Sequence, residues 1–163
     1  MADENQNHSA DNNEPQFVPQ AVYIKDVSFE SPQGPRLPQN GSNPNINMNL
    51  NTQVNQLAPE LYEVVLKINV TATVADKTLW LCELEQAGAF GARNIVNQEL
   101  SRILGVFCPN YLLPYARQTI SDLLIKGGFP PFLVPPVNFD ALFDQAQAQG
   151  AAEQNQPAST SVN

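Results

Sequence analysis

Residues 61–74, LYEVVLKINVTATV, place Tyr62, Val64, Leu66, Ile68, Val70, Ala72 and Val74 on one parity and Glu63, Lys67, Asn69, Thr71 and Thr73 on the other. Side chains of an extended chain alternate between two faces, so this period of two predicts a strand with one buried and one wet face. NINMNLNTQV, residues 45–54, alternates as strictly, with Asn45, Asn47, Asn49 and Asn51 against Ile46, Met48 and Leu50. VYIKDVSFE, residues 22–30, sets Tyr23, Val27 and Phe29 against Val22, Ile24, Asp26, Ser28 and Glu30. In LWLCELE, residues 79–85, Trp80, Cys82 and Leu84 form a core-like face, while Leu79 and Leu81 share the other with Glu83 and Glu85. The turn Ala75-Asp76-Lys77 makes the last two strands of the series a hairpin, so the sheet is expected to be antiparallel with one strongly buried face. Leucines beside carboxylates on the opposite face are either scattered exposed residues or an anchor for a partner.

The second half reads as helical. Gly88 and Gly91 precede ARNIVNQELSRIL, a short helix expected to end at Gly105, and Pro109 suits the first position of the next helix. NYLLPYARQTISDLLIK then runs to Gly127-Gly128, with Pro114 kinking its first turns. Leu112, Leu113, Tyr115, Ala116, Ile120, Leu123 and Leu124 cover about half of its circumference at ~100° per residue. Two arrangements fit that breadth: a helix buried deeply within one chain, or one that meets its own sheet on one side and another subunit on the other. FPPFLVPPVNF, residues 129–139, is an extended connection, after which Asn138 caps a last helix, FDALFDQAQAQ. Asp140 lies near the positive end of that helix, Gly150 is its expected stop, and Phe139, Leu142, Phe143 and Ala146 form its apolar stripe. Prolines and glycines exclude a regular element from SPQGPRLPQNGSNP, residues 31–44. The fold class is therefore α+β, a four-stranded antiparallel sheet with helices packed on one face.

At 163 residues, 42% of them hydrophobic, the chain is sized for one domain with a real core. Its net charge of -8 repels phosphate backbones, so nucleic acid is not an expected partner. No Lys or Arg occurs before Lys25 or after Lys126. Residues 1–20 and 151–163 are polar and poor in apolar anchors, which predicts two disordered tails around a domain at 21–150. The single histidine, His8, falls in the first of them. The N-terminus lacks the charged and apolar regions of a secretion signal, and no apolar run approaches the ~20 residues that cross a bilayer. A soluble, cytoplasmic protein is expected, without membrane insertion. Cys82 and Cys108 read as buried free thiols rather than a disulfide or metal pair, and NGS at 40–42 and NVT at 69–71 are discounted as glycosylation sites because three-residue matches are frequent by chance and the chain reads as cytosolic.

Catalytic arrangements are absent from the sequence: there is no phosphate loop, paired-cysteine motif, HExxH or nucleophile elbow, and no cofactor or metal is expected. Glu83 and Glu85 have the spacing of a general acid/base pair, but a solvated strand face explains them better. What remains is surface. The row Ile46, Met48 and Leu50 either packs into the core or forms an adaptable apolar surface, for which Met is well suited.

VYIKDVSFE, the span from LYEVVLKINVTATV to LCELE, FCPN, LLPYAR and GGFPPFLVPPVNFDALF together resemble the SecB family of protein-export chaperones in order and spacing, over residues 21–144. The resemblance implies a homotetramer, a dimer of dimers with sheets outside and long helices between. It implies no enzymatic activity. SecB proteins hold unfolded precursors in the cytosol without ATP and pass them to the motor SecA. Positions tied to SecA docking in the family match Asp26, Glu30, Leu81 and Glu83. Those tied to oligomer assembly match Cys82, Leu84 and Gln86, and the surfaces for unfolded substrate match Ile46, Met48, Leu50 and Phe143. The chain departs from the pattern in two places: residues 31–44 lack a tryptophan found in some members, and Asn stands where acidic residues often flank the apolar row. The competing reading is a SecA-independent SecB-like chaperone of toxin or stress clients.

Overall fold

The computed structural model describes residues 13–35 and 43–154, with side chains as far as Ala151. Residues 1–12 and 155–163, which hold His8 and most of both expected tails, lie outside the described residues. Four antiparallel strands form one sheet in the order β1-β4-β3-β2. They are β1 (Gln16–Glu30), β2 (Asn45–Ala58), β3 (Leu61–Val74) and β4 (Lys77–Arg93). The β3–β4 hairpin turns through Ala75 and Asp76 alone, at φ 48° and 61°, with Val74 opposite Lys77. Left-handed conformations at both central residues match the right-handed twist of the flanking strands, which is why a two-residue turn suffices.

Each strand is longer than its alternating core, and bulges explain how. In β1 the register skips at Gln20 and Lys25; Ile24 lies opposite Gln86 and Asp26 opposite Glu85. The extra residue at Lys25 reverses the parity. Val22 and Ile24 therefore share the helix side of the sheet with Val27 and Phe29, while Tyr23 joins Asp26, Ser28 and Glu30 on the outer side. This corrects the simple odd/even reading, which grouped Tyr23 with Val27 and Phe29. A second bulge corrects Leu79: Ala72 pairs with Trp80 and Thr73 with Thr78, so Leu79 is the inserted residue and is buried in the core rather than left beside the glutamates.

β4 runs on through Gly88 and Gly91 to Arg93, into the first residues of the segment read as the short helix. A Cβ at Gly88 would lie 2.8 Å from the ring of Phe90 and 3.1 Å from Leu112 Cδ2, so the glycine marks a close approach within a strand rather than a break. The helical half differs similarly. α1 (Asn97–Arg102) continues without a stop through a π-helical turn (Ile103–Phe107) into α2 (Cys108–Lys126). Gly105 lies within that turn because the ring of Phe143 would sit 2.5 Å from its Cβ; it admits a neighbour rather than ending a helix. α2 does end at Gly127-Gly128, where Phe129 N–H donates to Leu124 O and Gly128 N–H to Ile125 O, with Gly128 at φ 82°.

α2 buries Leu112, Leu113, Ala116, Ile120 and Leu124 on the sheet, whereas Tyr115 and Ile125 are 44% and 55% exposed. Of the two arrangements open from its breadth, the helix is therefore not deeply buried within one chain. The connection 129–138 is held to α2 by Arg117, whose Nε donates to Val134 O at 2.8 Å. Asn138 Oδ1 then accepts from Ala141 N–H at 3.0 Å and caps α3 (Phe139–Gln154), which runs past Gly150. The core lies between the sheet's inner side and these helices, centred on Val64, Leu66, Ile68, Cys82, Leu84, Phe90, Leu112 and Ile120. Among the described residues no helix is long and apolar enough to cross a membrane.

Candidate interaction surfaces

The outer face of the sheet carries the leucine beside the glutamates. Glu30 lies opposite Leu81, Ser28 opposite Glu83 and Asp26 opposite Glu85 on the adjacent strands β1 and β4. Side chains of antiparallel partners share a face, so Asp26, Glu30, Leu81 and Glu83 are brought together although 51 to 57 positions separate the two pairs. Asp26, Glu83 and Glu85 also line a shallow depression with Lys67 and Asn69. Charge is unevenly distributed over this face. Lys67 is paired with Glu85 at 2.7 Å, Arg93 with Glu60 at 2.9 Å and Lys25 with Glu63 at 2.7 Å. Asp26, Glu30 and Glu83 have no ion-pair partner among the described residues, so three uncompensated carboxylates share this face with Leu81, Glu30 directly opposite it and Glu83 two positions along its strand.

Glu63 was expected on a wet face and is instead 5% exposed. Tyr23 Oη donates to it at 2.6 Å, Lys25 Nζ at 2.7 Å and Asn55 Nδ2 at 2.9 Å. The first two reach from β1 across β4, where Ala87 and Ala89 are short enough to leave the path clear. The hydrogen bond from Lys25, then those from Tyr23 and Asn55, hold the Glu63 carboxyl down at about 2, against an opposing push from burial. Burial, then the hydrogen bond to Glu63 and its charge, push the Tyr23 phenol up to about 12. Because the folded value of Glu63 lies below its ordinary 4.5, this network stabilises the fold fully above that pH and is lost as the pH falls towards 2. The urea midpoint is expected to drop across this window, and less steeply in Glu63→Gln. Identical pH slopes in the two proteins would remove Glu63 as the source.

A second surface lies on the helix side. A groove of about 280 Å³ between β2 and α3 is lined by Leu50, Thr52, Val54, Phe139, Leu142 and Phe143, with Gly105 at its floor. Leu50 and Phe143, named from sequence, meet here. Ile46 and Met48 continue the same face of β2 beyond the lining residues, Ile46 being 40% exposed. Val54 and Leu142, each 43% exposed, were not singled out as site residues. The signal was present: Val54 extends the even-numbered row across Thr52, and Leu142 precedes Phe143 on the apolar stripe of α3. Arg102 fixes one side of the groove, pairing with Asp140 and, at 3.5 Å, with Asp144, while its guanidinium lies 5.9 Å over the Phe143 ring.

Cys82 and Leu84 are 0% and 1% exposed beneath the chain's own helices and form no outer surface. Burial pushes the Cys82 thiol up to about 11 and the Cys108 thiol up to about 12, so both are poor nucleophiles. Gln86, 3% exposed, donates from Nε2 to Tyr23 O at 3.0 Å, and its Oε1 has no hydrogen-bond partner among the described residues. On the same side of the sheet, Ile24 and Val27 of β1 are 47% and 40% exposed, so the chain's own helices leave this edge open.

The family described as Preprotein translocase subunit SecB matches residues 10–150. A protein-export protein SecB of Methylococcus capsulatus is 46% identical over 158 residues, 97% of this chain and 98% of the relative. That of Hahella chejuensis is 45% identical over 145 residues, 89% of this chain and 91% of the relative. The fold also resembles a Mycobacterium tuberculosis SecB-like chaperone solved in complex with a ChAD peptide of an antitoxin, at a TM-score of 0.64 and 15% identity over 75% of this chain and 91% of that one. With a match through both the sheet and the helices, this chain belongs to the SecB family.

Proposed function

We propose that this protein is an ATP-independent protein-export chaperone that keeps precursors unfolded in the cytoplasm and delivers them to SecA. The observation that carries the reading is the near end-to-end likeness to two protein-export SecB proteins. The surfaces fit the parts such a task needs. Three uncompensated carboxylates on the same face as Leu81 suit a basic partner with an apolar contact, and we assign Asp26, Glu30, Leu81 and Glu83 to SecA docking. Charges of this kind steer encounter more than they fix affinity. Ile46, Met48, Leu50 and Phe143, extended by Val54 and Leu142, are assigned to unfolded substrate, whose apolar side chains would enter the groove.

Assembly is proposed as a dimer of dimers. The exposed Ile24, Val27, Tyr115 and Ile125 supply apolar area for it. Cys82, Leu84 and Gln86 would act on assembly through the helices packed over them rather than by direct contact. The test is a calorimetric titration with SecA at low and moderate salt, after sizing by light scattering. Saturable binding to a tetramer that weakens with salt is expected. A tetramer that does not bind SecA would overturn the delivery role.

A further inference from the structure

Lys25 is the one cation of β1, and the bulge sets it on the same face as its neighbour Asp26. Consecutive residues of a regular strand point to opposite faces; the extra residue instead puts an ammonium and a carboxylate side by side on the outer face. Adjacent Cα atoms are about 3.8 Å apart and a lysine stem is longer than that, so Lys25 has the reach to neutralise Asp26. It pairs elsewhere. Its Nζ lies 2.7 Å from Glu63 Oε2, and Glu63 stands opposite Ala89, which faces Ala21 near the start of β1. Glu83 and Leu81 face Ser28 and Glu30, beyond Lys25 in the other direction. The ammonium is therefore drawn away from the acidic patch.

Glu63 is well placed to hold it. The carboxylate is 5% exposed and is fixed from both edge strands by Tyr23 Oη and Asn55 Nδ2, whereas the Lys25 side chain is 43% exposed. The lysine thus comes to a carboxylate whose position does not depend on it. Lys67, the other cation beside the patch, is likewise taken by Glu85, directly opposite it. Both cations are held by carboxylates outside the set assigned to docking. We infer that Glu63 is a positioning residue for docking: by holding the Lys25 ammonium it keeps Asp26 free for a basic partner. The inference rests on the assignment of Asp26, Glu30, Leu81 and Glu83 made above. A surface that attracts cations loses field when a free lysine joins it. Glu63 acts through Lys25 and does not touch the partner.

Calorimetric titration with SecA at low salt, on the full chain and its variants, tests this. Glu63→Gln keeps an acceptor for Tyr23 but loses the charge that holds Lys25; the freed ammonium pairs with Asp26, and affinity should fall about threefold. Adding Lys25→Met to that variant should restore the wild-type affinity although the network is gone. Asp26→Asn should cost less in the Glu63→Gln background than in the wild type, because Asp26 is already neutralised there. Glu60→Gln, which makes the same change in net charge but frees Arg93 at the far end of β4, should have far less effect. Far-UV circular dichroism and substrate holding should be unchanged throughout. A Glu63→Gln protein that binds like the wild type, a double variant that stays weak, or an equal loss in Glu60→Gln would overturn the inference. So would a Glu63→Gln protein that does not fold, which would make the residue structural. Should Asp26→Asn alone leave binding intact, the docking assignment fails and takes the inference with it; should it weaken binding while Glu63→Gln does not, the inference alone fails.

Discussion

Phe90→Ala is expected to lower the stability of the folded chain by about 3–5 kcal/mol, the largest single effect open to a side-chain truncation in this fold. Phe90 is fully buried, stacks on Phe17 of β1 at 5.6 Å and meets Tyr111 of α2 edge-on at 6.0 Å. Its loss removes a large apolar side chain and opens a void where two strands and the long helix meet. Gly88, whose missing Cβ makes room for that ring, cannot refill the space, so little collapse is available to offset the cavity. Urea denaturation of the two proteins measures the difference. A loss below about 1 kcal/mol would mean that the site repacks and that the ring does not hold β1 against the helix.

Glu83→Lys is expected to cut affinity for SecA about tenfold or more at low salt while leaving substrate holding and the thermal midpoint unchanged. Glu83 is exposed, and among the described residues its side chain makes one hydrogen bond, from Ser28 Oγ at 3.4 Å, and no ion pair, so the fold depends little on it. The substitution turns three uncompensated negative charges into two negative and one positive, in a patch where the nearby Lys67 is already engaged by Glu85. Added salt should narrow the gap between variant and wild type. Calorimetric titration of both proteins checks this, and a variant that binds like the wild type would remove this face from the docking assignment.

Regular alternation made β2, β3 and the centre of β4 legible from sequence, because apolar and polar residues there follow the period of two without interruption. For the acidic patch, alternation gave only the shared face within each pair, which holds because Asp26 and Glu30 lie beyond the Lys25 bulge and Leu81 and Glu83 beyond that at Leu79; the family resemblance is what singled out the four residues. Bulges themselves leave no compositional mark, and the faces of Tyr23 and Leu79 were misassigned where one intervenes. Gly88, Gly91, Gly105 and Gly150 read as punctuation because local propensity favours breaks at glycine. At Gly88 and Gly105 the decisive fact is a ring arriving from elsewhere, Phe90 and Phe143 respectively. Glu63 was equally hidden: its donors come from residues 40, 38 and 8 positions away, so its burial depends on contacts that no window around it contains.

The bulge at Lys25 has a consequence for how β1 can change length. Residues before it and after it occupy the sheet in opposite phase, and Lys25 itself is tied to Glu63. Deleting Tyr23 would close the bulge and leave both flanking segments in register, but it would turn Ile24 to the outer side and Lys25 towards the helices, breaking the Glu63 network. Losing two residues would preserve phase but shorten the reach of Tyr23 and Lys25 towards Glu63. β1 is thus a segment in which substitutions are tolerated far more readily than insertions or deletions, and the bulge works as a length gauge for the strand that carries half of the acidic patch.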